Sequence, residues 1–404
     1  MATPTIVLDN GAATIKVGLH TDAGPRRYPN FACKARGEKF TRYGENLDDV
    51  QDITGLSVRR PLDRGYLSNA DLQRDIWARI FTHELKVDTT NASLVVTEPP
   101  MNLPACQHML EQIIFEDFNF GSYYAAPGAA FAARHHCSGG GSDASKAGAC
   151  LVLDLGYSFC HAVPLFDSRI LNYGVKRLDF GGKTATNLLK EVVSRRALNV
   201  KNEGYIVEMM KEDTTFVSQD FVSDLNLAKR SKKMYSVEYV LPNGYNVFRP
   251  YVRTAADAEA KGDVTVTKSR SADQEVVLNH ERFMIPEVFF TPSDVGIGQA
   301  GIAEIAMQSL GCIHESLHPL QLANVLLVGG SAKFRGLEER FARELRALVP
   351  VEYDLSIHLP ENPEDYAWHG CKLFASSPEY HSRKITKTDY HEHGMSPNRR
   401  KLCC

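Results

Sequence analysis

The sequence predicts an α/β protein built from two duplicated lobes that face each other across a cleft. A strand–turn signature at residues 5–18, TIVLDNGAATIKVG, recurs at 150–166 as CLVLDLGYSFCHAVPLF, so each half begins in the same way. Strands and amphipathic helices alternate along the rest of the chain, which is typical of α/β lobes. The 404 residues allow several folding units, at roughly 100–200 residues each.

The composition excludes several classes of protein. The net charge of −3 argues against a surface that coats nucleic acid. The nine cysteines show no CxxC pair and no metal-ligand spacing, so neither a zinc ribbon nor a secreted disulfide framework is expected. No apolar run approaches the ~20 residues that a membrane helix needs. The sequence therefore predicts a soluble intracellular protein.

The first element is a β-hairpin. Its first strand ends in Asp9, a tight Asn10-Gly11 turn follows, and the returning strand carries Lys16. Because the chain returns as a strand, the dinucleotide fingerprint is excluded, which requires GxGxxG to lead directly into a helix. Residues 68–85 then predict a helix from a Ser68/Asp71 capping pattern, with an apolar stripe formed by Leu72, Ile76 and Ile80.

The second half of the chain repeats the strand, aspartate and glycine turn of the first hairpin, and it adds a glycine turn that leads from a strand into a helix. Asp154 ends its first strand, and Asn243-Gly244 predicts a hairpin over 236–248. Residues 323–348 predict a buried strand, the turn Gly329-Gly330 and an amphipathic helix whose apolar face carries Leu337, Phe341, Leu345 and Leu348. The polar segments 138–148 and 253–274 are expected to be inserted loops, for which disorder is the commoner state.

The two hairpin turns that follow Asp9 and Asp154, together with the turn Gly329-Gly330, suggest a nucleotide site. Backbone N–H groups at a glycine turn bind phosphate oxygens, so one turn from each lobe can clamp a polyphosphate. Asp9 and Asp154 are placed to hold a hydrated divalent metal through water, and Lys16 to neutralise phosphate charge. Gly329-Gly330 offers a helix N-terminus and a bare backbone to a nucleoside. The alternative is that Asp9 and Asp154 only cap their hairpin turns.

Longer segments carry a family resemblance. The chain resembles the actin family over almost its full length, in the segments LSVRRPLDRGYLSNADLQRDIWARIFTHELKV, LVVTEPPMN, IIFEDFNF, LDFGGK, ERFMIPEVFFTPS, VGGSAKFRGL and ITKTDYHEHG, which occur in the order that actin has. The resemblance implies the actin-like fold, with four subdomains around a central nucleotide cleft.

The resemblance also implies a set of nucleotide-binding residues, with ATP or ADP and Mg²⁺ as ligands. The positions that bind phosphate and metal are matched by Asp9, Gly11, Lys16, Asp154 and Gly156. The positions that bind the nucleoside are matched by Lys211, Glu212, Gly329 and Gly330. His161 matches a residue that helps to organise the attacking water. The alternatives are that Lys211 and Glu212 are solvated helix charges and that His161 is a core histidine.

Other positions depart from the actin pattern. Ala12 and Ala13 replace a serine and a glycine in the first loop, and Leu155, Tyr157 and Ser158 replace a serine, an aspartate and a glycine in the second loop. Glu364 stands about where a lysine lines the nucleotide. The water-positioning glutamine of actin falls on Gly128. Because hydrolysis needs a group that orients water, nucleotide binding is expected and efficient turnover is not, so the protein is predicted not to be an enzyme.

The predicted domains follow the actin-like division. Residues 1–30, 58–148 and 341–404 form the first large lobe, and 31–57 a small charged insertion. Residues 149–180 and 275–340 form the second large lobe, and 181–274 its smaller subdomain with the polar loop 253–274.

Within the family, VKRLDFGGKTATNLLKE and EYVLPNGYNVFRPYVR are most similar to actin-related subunits of the Swr-type remodelling complex. That group implies a nuclear protein, with a cytoplasmic fraction allowed, that takes part in exchange of a variant histone. The partners it implies are the motor subunit, a zinc-finger subunit and nucleosomal DNA. The charged region 31–57 and the loop 253–274 are the candidate partner surfaces. The basic runs 229–233 and 398–401 are candidate import signals or phosphate contacts, with solvated loop charge as the alternative.

Two other functions remain as alternatives. One is a cytoskeletal, filament-forming ATPase, although the apolar loop that joins actin subunits has no counterpart in 31–57. The other is a sugar kinase or chaperone ATPase on the same fold.

Overall fold

Two central sheets organise the molecule, one in each lobe. The computed structural model describes residues 4–393 except 46, 48–49, 51, 140–147, 232, 245–246 and 254–273. The first sheet has the strand order β20-β10-β9-β1-β2-β3. Its strands are β1 (Thr5–Asn10), β2 (Thr14–Leu19), β3 (Arg26–Pro29), β9 (Ser93–Glu98), β10 (Ser122–Pro127) and β20 (Ile385–Thr386).

The second sheet repeats this arrangement in the other lobe. Its path is β13-β12-β11-β18-β19, with β14 beside β12. The strands are β11 (Cys150–Leu155), β12 (Cys160–Phe166), β13 (Arg169–Ile170), β14 (Lys176–Leu178), β18 (Val325–Val328) and β19 (Ile357–His358). In each sheet an antiparallel hairpin is followed outward by a parallel neighbour, β9 beside β1 and β18 beside β11. The predicted α/β fold with duplicated starts is confirmed.

The central strands are apolar runs because helices cover both faces of each sheet. Ile6, Val7 and Leu8 are fully buried, as are Leu151, Val152 and Leu153 at the equivalent places in the second lobe. This burial fixes where each strand ends. The first polar residue after each run is the aspartate that faces the cleft.

The helices of the first lobe are α1 (Ala70–Arg79), α2 (Pro104–Gln112), α3 (Gly128–Ser138), α11 (Tyr366–Ala375), α12 (Pro378–Arg383) and α13 (Lys387–His393). The predicted cap of α1 is corrected: Asn69, not Ser68, accepts the hydrogen bond from the Leu72 N–H, at 3.0 Å. The Ser68 hydroxyl donates instead to the carbonyl of Pro61. A π-helical turn, Ile80–Leu85, continues α1.

The helices of the second lobe are α4 (Gly182–Arg196), α5 (Gly204–Thr214), α6 (Phe221–Arg230), α7 (Glu281–Met284), α8 (Ile302–Leu310), α9 (His318–Leu322) and α10 (Leu337–Leu348). A 3-10 turn, Gly330–Lys333, separates β18 from α10. Leu337, Phe341 and Leu345 are buried as predicted, whereas Leu348 is 46% exposed because the helix ends there and the chain turns away.

Three small sheets complete the fold. They comprise β4 (Ala32–Lys34), β5 (Arg42–Tyr43) and β6 (Ser57–Arg59); β7 (Leu62–Asp63) and β8 (Tyr66–Leu67); and β15 (Val237–Val240), β16 (Tyr251–Val252) and β17 (Glu275–Leu278). The predicted hairpin over 236–248 is therefore longer than expected. The N–H of Asn243 donates to the Val247 carbonyl at 2.9 Å, but the return strand begins only at Tyr251.

The structure differs from the predicted domain division at two places, the boundary between residues 340 and 341 and the insertion 31–57. The predicted division between residues 340 and 341 falls inside α10, whose apolar face packs in the hydrophobic core of the second lobe. Strand β19 also joins the second sheet. The chain therefore returns to the first lobe only after His358. The insertion 31–57 has a buried apolar side, including Phe31, Val50 and Ile53, that packs in that same core. The polar segments 138–148 and 253–274 lie almost wholly outside the described residues, as does 398–401.

Among the residues that the structure describes, no helix is both long enough and apolar enough to cross a membrane.

Candidate functional site

A cavity of about 740 Å³ lies between the two lobes, and all nine predicted nucleotide-binding residues line it. The ends of β1 and β11 bring Asp9 and Asp154 to it, and the glycine turns follow those strands. Helix α5 supplies Lys211 and Glu212 from the far side. The sequence pattern therefore located one site, whose occupation by a nucleotide remains a prediction.

Three glycines of these turns, Gly11, Gly156 and Gly329, have no room for a side chain. A Cβ on Gly11 would lie 2.5 Å from the carbonyl oxygen of Thr14, and one on Gly156 would lie 2.9 Å from that of Phe159. Gly329 has a φ of +94°, and its Cβ would lie 2.4 Å from the Leu155 oxygen. These glycines are required by the fold of the turns, and they leave bare backbone along the cavity wall.

Asp9 is held in place by neighbours on both sides. Its carboxylate lies 3.2 Å from the ammonium of Lys16 and accepts a hydrogen bond from the Thr97 hydroxyl at 2.7 Å. Thr97 in turn accepts from the backbone N–H of Asn10 at 3.0 Å. This network orients the carboxylate from the strand ends of β1 and β9, which argues that Asp9 does more than cap its hairpin.

Asp154 is in a different electrostatic state. Burial, and secondarily the charge of Asp9, raises its pKa to about 7, although Lys16 opposes the shift. Two carboxylates that face one cavity favour a cation between them, so the pair fits a hydrated Mg²⁺. No group of three or more potential metal ligands occurs in the described part of the chain.

The nucleoside end of the cavity is only partly as expected. Lys211 is not a solvated charge: it is 5% exposed, and its ammonium donates to the Thr186 hydroxyl at 3.1 Å. Glu212 is exposed at the mouth of the cavity. No sequence pattern predicted Arg282 and Arg335 at this end of the cavity, where their guanidinium carbons lie 5.2 and 5.4 Å from the ring centroid of Phe216.

The position of the catalytic glutamine is empty of side chain. Gly128 starts α3 and lines the cavity, and a Cβ there would meet nothing closer than Ala367, at 3.7 Å. The space therefore exists, and Gly128 itself places no side chain in it.

His161 does not compensate for this absence. It is 2% exposed, does not line the cavity, and packs edge-on beneath Phe159 with the ring centroids 4.5 Å apart. Burial, with a smaller effect of Arg177, lowers its pKa to about 3, so the ring is neutral at physiological pH. His161 is a core histidine by its burial, but it is not the satisfied core histidine that the alternative describes, because its buried Nδ1 has no hydrogen-bond partner among the described residues.

Glu364, at the approximate position of the expected lysine, belongs to an ion-pair chain at the cavity wall. It lies 2.8 Å from Arg27 and 3.2 Å from Lys333, so it links β3 of the first lobe to the 3-10 turn of the second. Both cations line the cavity, and they keep positive charge there despite the acidic replacement.

Arg60, which the sequence reasoning missed, joins the two lobes across the cleft. Its guanidinium donates to the carbonyls of Ala12 and Ala13 at 3.3 and 3.2 Å and pairs with Glu208 of α5 at 2.9 Å. It also lies 4.6 Å from the ring centroid of Tyr157. Arg60 thus contacts the first and second glycine loops at once, and it links the two lobes through side chains of the protein itself.

Replacing Arg60 with alanine is expected to loosen the cleft. Arg60 and Glu208 are each 14% exposed, so the variant leaves a nearly buried carboxylate unpaired and should cost ~2–3 kcal/mol of unfolding free energy. Amide hydrogen exchange should rise in residues 12–14 and in α5. Arg195→Ala removes an exposed pair, 80% exposed on the arginine, and should change stability by less than ~0.5 kcal/mol. Equal effects of the two variants on stability and exchange would contradict the role of Arg60 in linking the two lobes.

Comparisons with known proteins agree with this architecture. The family model described as Actin matches residues 1–403. The chain is 39% identical to "Actin-related protein 6" of Arabidopsis thaliana, over 98% of this chain and 99% of the relative. It is 37% identical to the Drosophila melanogaster protein of the same name, over 98% of each, and 30% identical to that of Dictyostelium discoideum, over 97% of this chain and 92% of the relative.

Proposed function

This chain belongs to the actin family, among its actin-related protein 6 members, and on that premise we propose that it is a non-catalytic architectural subunit of a nuclear chromatin remodelling complex. The complex is of the Swr type and exchanges a variant histone into nucleosomes. Its motor subunit and a zinc-finger subunit are the proposed partners, with nucleosomal DNA as a further contact. The segments that are most similar to such subunits support this assignment.

The cleft is proposed to bind ATP or ADP with Mg²⁺ without efficient hydrolysis. Asp9 and Asp154 would hold the metal through water, which supplies positive charge beside the phosphates. Lys16 and the backbone N–H groups of the Gly11 and Gly156 turns would bind the phosphates. Bound nucleotide would then contact both lobes and add stability as a ligand of the native state.

One observation carries the non-catalytic part of the proposal. Gly128 places no side chain at the cavity, and neutral His161 lies beneath Phe159, so neither of the two positions to which the family resemblance assigns the attacking water supplies a group that orients it. A positioned acid or base contributes ~10²–10⁴-fold to such a reaction.

Restoring glutamine at Gly128 is expected not to restore turnover. The space around Gly128 accepts a side chain, but Arg60 and Tyr157 still occupy the loops, and His161 stays out of reach. Phosphate release measured with a coupled assay should remain at the background rate for both wild type and Gly128→Gln. ATP-dependent change in melting temperature serves as the binding control. Turnover in the variant alone would show that one missing side chain is the whole cause.

Affinity purification from nuclear extract, with identification of the co-purified chains, tests the scaffold role. The expected result is recovery of a remodeller motor and a zinc-finger subunit in stable stoichiometry. Recovery of actin-binding proteins, together with polymers in sedimentation under Mg²⁺ and salt, would support the filament-forming ATPase instead.

A further inference from the structure

His161 is directed towards the nucleotide cavity and yet does not line it. In the antiparallel pair β11–β12, His161 lies directly opposite Asp154, which does line the cavity. Side chains of directly opposite residues lie on the same face of a sheet, so the imidazole ring lies on the cavity side. The ring nitrogen Nδ1 has no hydrogen-bond partner among the described residues, so the ring keeps an unused capacity to bind water.

Phe159 covers the imidazole ring on the cavity side. Its own side chain lines the cavity, and its ring meets that of His161 edge-on, with an angle of 73° between the planes. Phe159 stands two residues before His161 on the same strand side, which explains how one side chain lies over the other. The aromatic ring therefore separates His161 from the space in which the phosphates are proposed to lie.

The first lobe holds Phe159 in this position. Gly65 lies in the turn between β7 and β8, and a Cβ on it would lie 1.6 Å from a ring carbon of Phe159. The phenylalanine ring thus packs directly on bare backbone of that turn. Gly65 and Phe159 both line the cavity, so the contact closes its wall with parts of both lobes.

Arg177 holds the same contact from the second lobe. Its guanidinium carbon lies 4.5 Å from the Phe159 centroid and 4.9 Å from the Tyr66 centroid. The guanidinium also donates to the Tyr66 hydroxyl and, at 3.4 Å, to the Arg64 carbonyl. One arginine therefore fastens Phe159 and the β7–β8 turn together, and the phenylalanine ring is held by both lobes.

We propose that Phe159 is a seal that keeps water away from His161, and that this seal is a barrier to hydrolysis besides the absent side chain at Gly128. With the ring in place, His161 has no access to the cavity. With the ring removed or displaced, the histidine can bind a water of the cavity and orient it. The catalytic part of this inference rests on the proposed nucleotide binding, whereas the seal itself does not.

A packing role alone would have a different consequence. If Phe159 only filled space, its removal would lower the stability of the protein without exposing His161 selectively. Phe159 acts through His161 in the proposal, so the reactivity of that one histidine is the property to measure. Stability alone does not distinguish the two roles.

The first experiment measures the reactivity of each histidine towards diethyl pyrocarbonate by mass spectrometry, on the full chain without nucleotide. His314, which is exposed, is the internal reference, and wild-type His161 should react far more slowly. Phe159→Ala should raise the rate at His161 at least ~10-fold, since the reactivity of a buried group follows the free energy of local opening. Gly65→Ala should act in the same direction, because its Cβ displaces the ring.

Phe216→Ala is the matched control. Phe216 is another half-buried phenylalanine beside an arginine, but it lies at the nucleoside end and packs on Tyr235 and Phe283. This variant should leave His161 protected, and Phe159→Leu, which keeps an apolar cover, should raise the rate less than Phe159→Ala. Alkylation of the fully buried Cys150 should stay equally slow in every variant, which establishes that the exposure of His161 is not unfolding.

The second experiment measures single-turnover phosphate release with ATP and Mg²⁺. In this step the water oxygen bonds to the terminal phosphorus, the bond to the bridging oxygen breaks with its electron pair left on ADP, and one proton of the water passes to solvent. Gly128→Gln combined with Phe159→Ala should release phosphate at least ~10-fold faster than Gly128→Gln alone. Arg60 and Tyr157 remain in place and keep the combined variant below an efficient rate.

Different results would overturn different parts of the proposal. Equal modification of His161 in wild type and Phe159→Ala, or an equal effect of Phe216→Ala, would refute the seal. Equal phosphate release by the two Gly128→Gln proteins, with ATP still raising both melting temperatures, would refute the catalytic part. If ATP raised the melting temperature of none of the proteins, the proposed nucleotide binding would fail, and the seal, which is measured without nucleotide, would stand.

Discussion

Replacing Gly329 with alanine should destabilise the second lobe by ~3 kcal/mol or more. The residue has a φ of +94° and a ψ of 162°, a conformation that is essentially restricted to glycine and costs a residue with a Cβ ~1–3 kcal/mol. The new Cβ would in addition lie 2.4 Å from the oxygen and 2.7 Å from the carbon of the Leu155 carbonyl, both of which belong to the backbone. Because Leu155 ends β11, relief of the clash would separate this strand from the turn after β18.

Gly330→Ala is the matched control for this prediction. A Cβ on Gly330 would find only the Glu364 carboxylate, at 4.0 Å, so stability should change by less than ~0.5 kcal/mol. Urea unfolding of both variants measures the difference. If Gly330→Ala proved as harmful as Gly329→Ala, the effect would belong to loss of glycine flexibility in general and not to this contact.

Replacing Asp154 with asparagine should stabilise the ligand-free protein at neutral and higher pH. Its pKa lies near 7 in the native state and near 4 in the unfolded chain, so the native state retains a proton that the unfolded state has released. Wild-type stability should therefore fall as the pH rises from about 4 to about 7, by up to ~4 kcal/mol if the shift is realised in full. Asparagine cannot ionise, so the variant should lose this slope.

The experiment is urea unfolding from pH 4 to pH 8 without nucleotide. The two proteins should be similar near pH 4, should diverge progressively up to about pH 7, and should keep a constant difference above that pH. Asp9→Asn is the control with the opposite sign, since it leaves Lys16, 9% exposed, without its carboxylate and should destabilise the protein. Parallel pH curves for wild type and Asp154→Asn would refute the electrostatic description of this site.

The sequence was sufficient for those parts of the site that depend on local pattern. Both hairpins, the apolar strands that end in Asp9 and Asp154, and the third glycine turn follow from periodicity and turn chemistry. The family resemblance added Lys211 and Glu212, which pattern alone would have left on a helix surface. The structure then placed the whole set around one cavity.

The parts that sequence reasoning missed depend on contacts between distant segments. Arg60 and Glu208 are 148 positions apart, and nothing near either residue predicts that they meet. The predicted cap of α1 was wrong for a related reason. The Ser68 hydroxyl could accept a hydrogen bond at a helix N-terminus, but it donates to the Pro61 carbonyl instead, and Asn69 caps the helix. Helix α10 crosses a predicted domain boundary because its apolar face packs in the second core.

The contacts that link the two lobes across the cleft have a consequence for assembly. Arg60 joins Glu208 to the first glycine loop, and the backbone N–H of Gly55 donates to Glu203 at 2.9 Å, so the small sheet and α5 are connected without help from a ligand. A binding partner that touches both lobes then meets surfaces whose spacing is already set, and little freedom is lost when it docks. The protein can therefore act as a spacer whose dimensions are set by its own side chains before any partner docks.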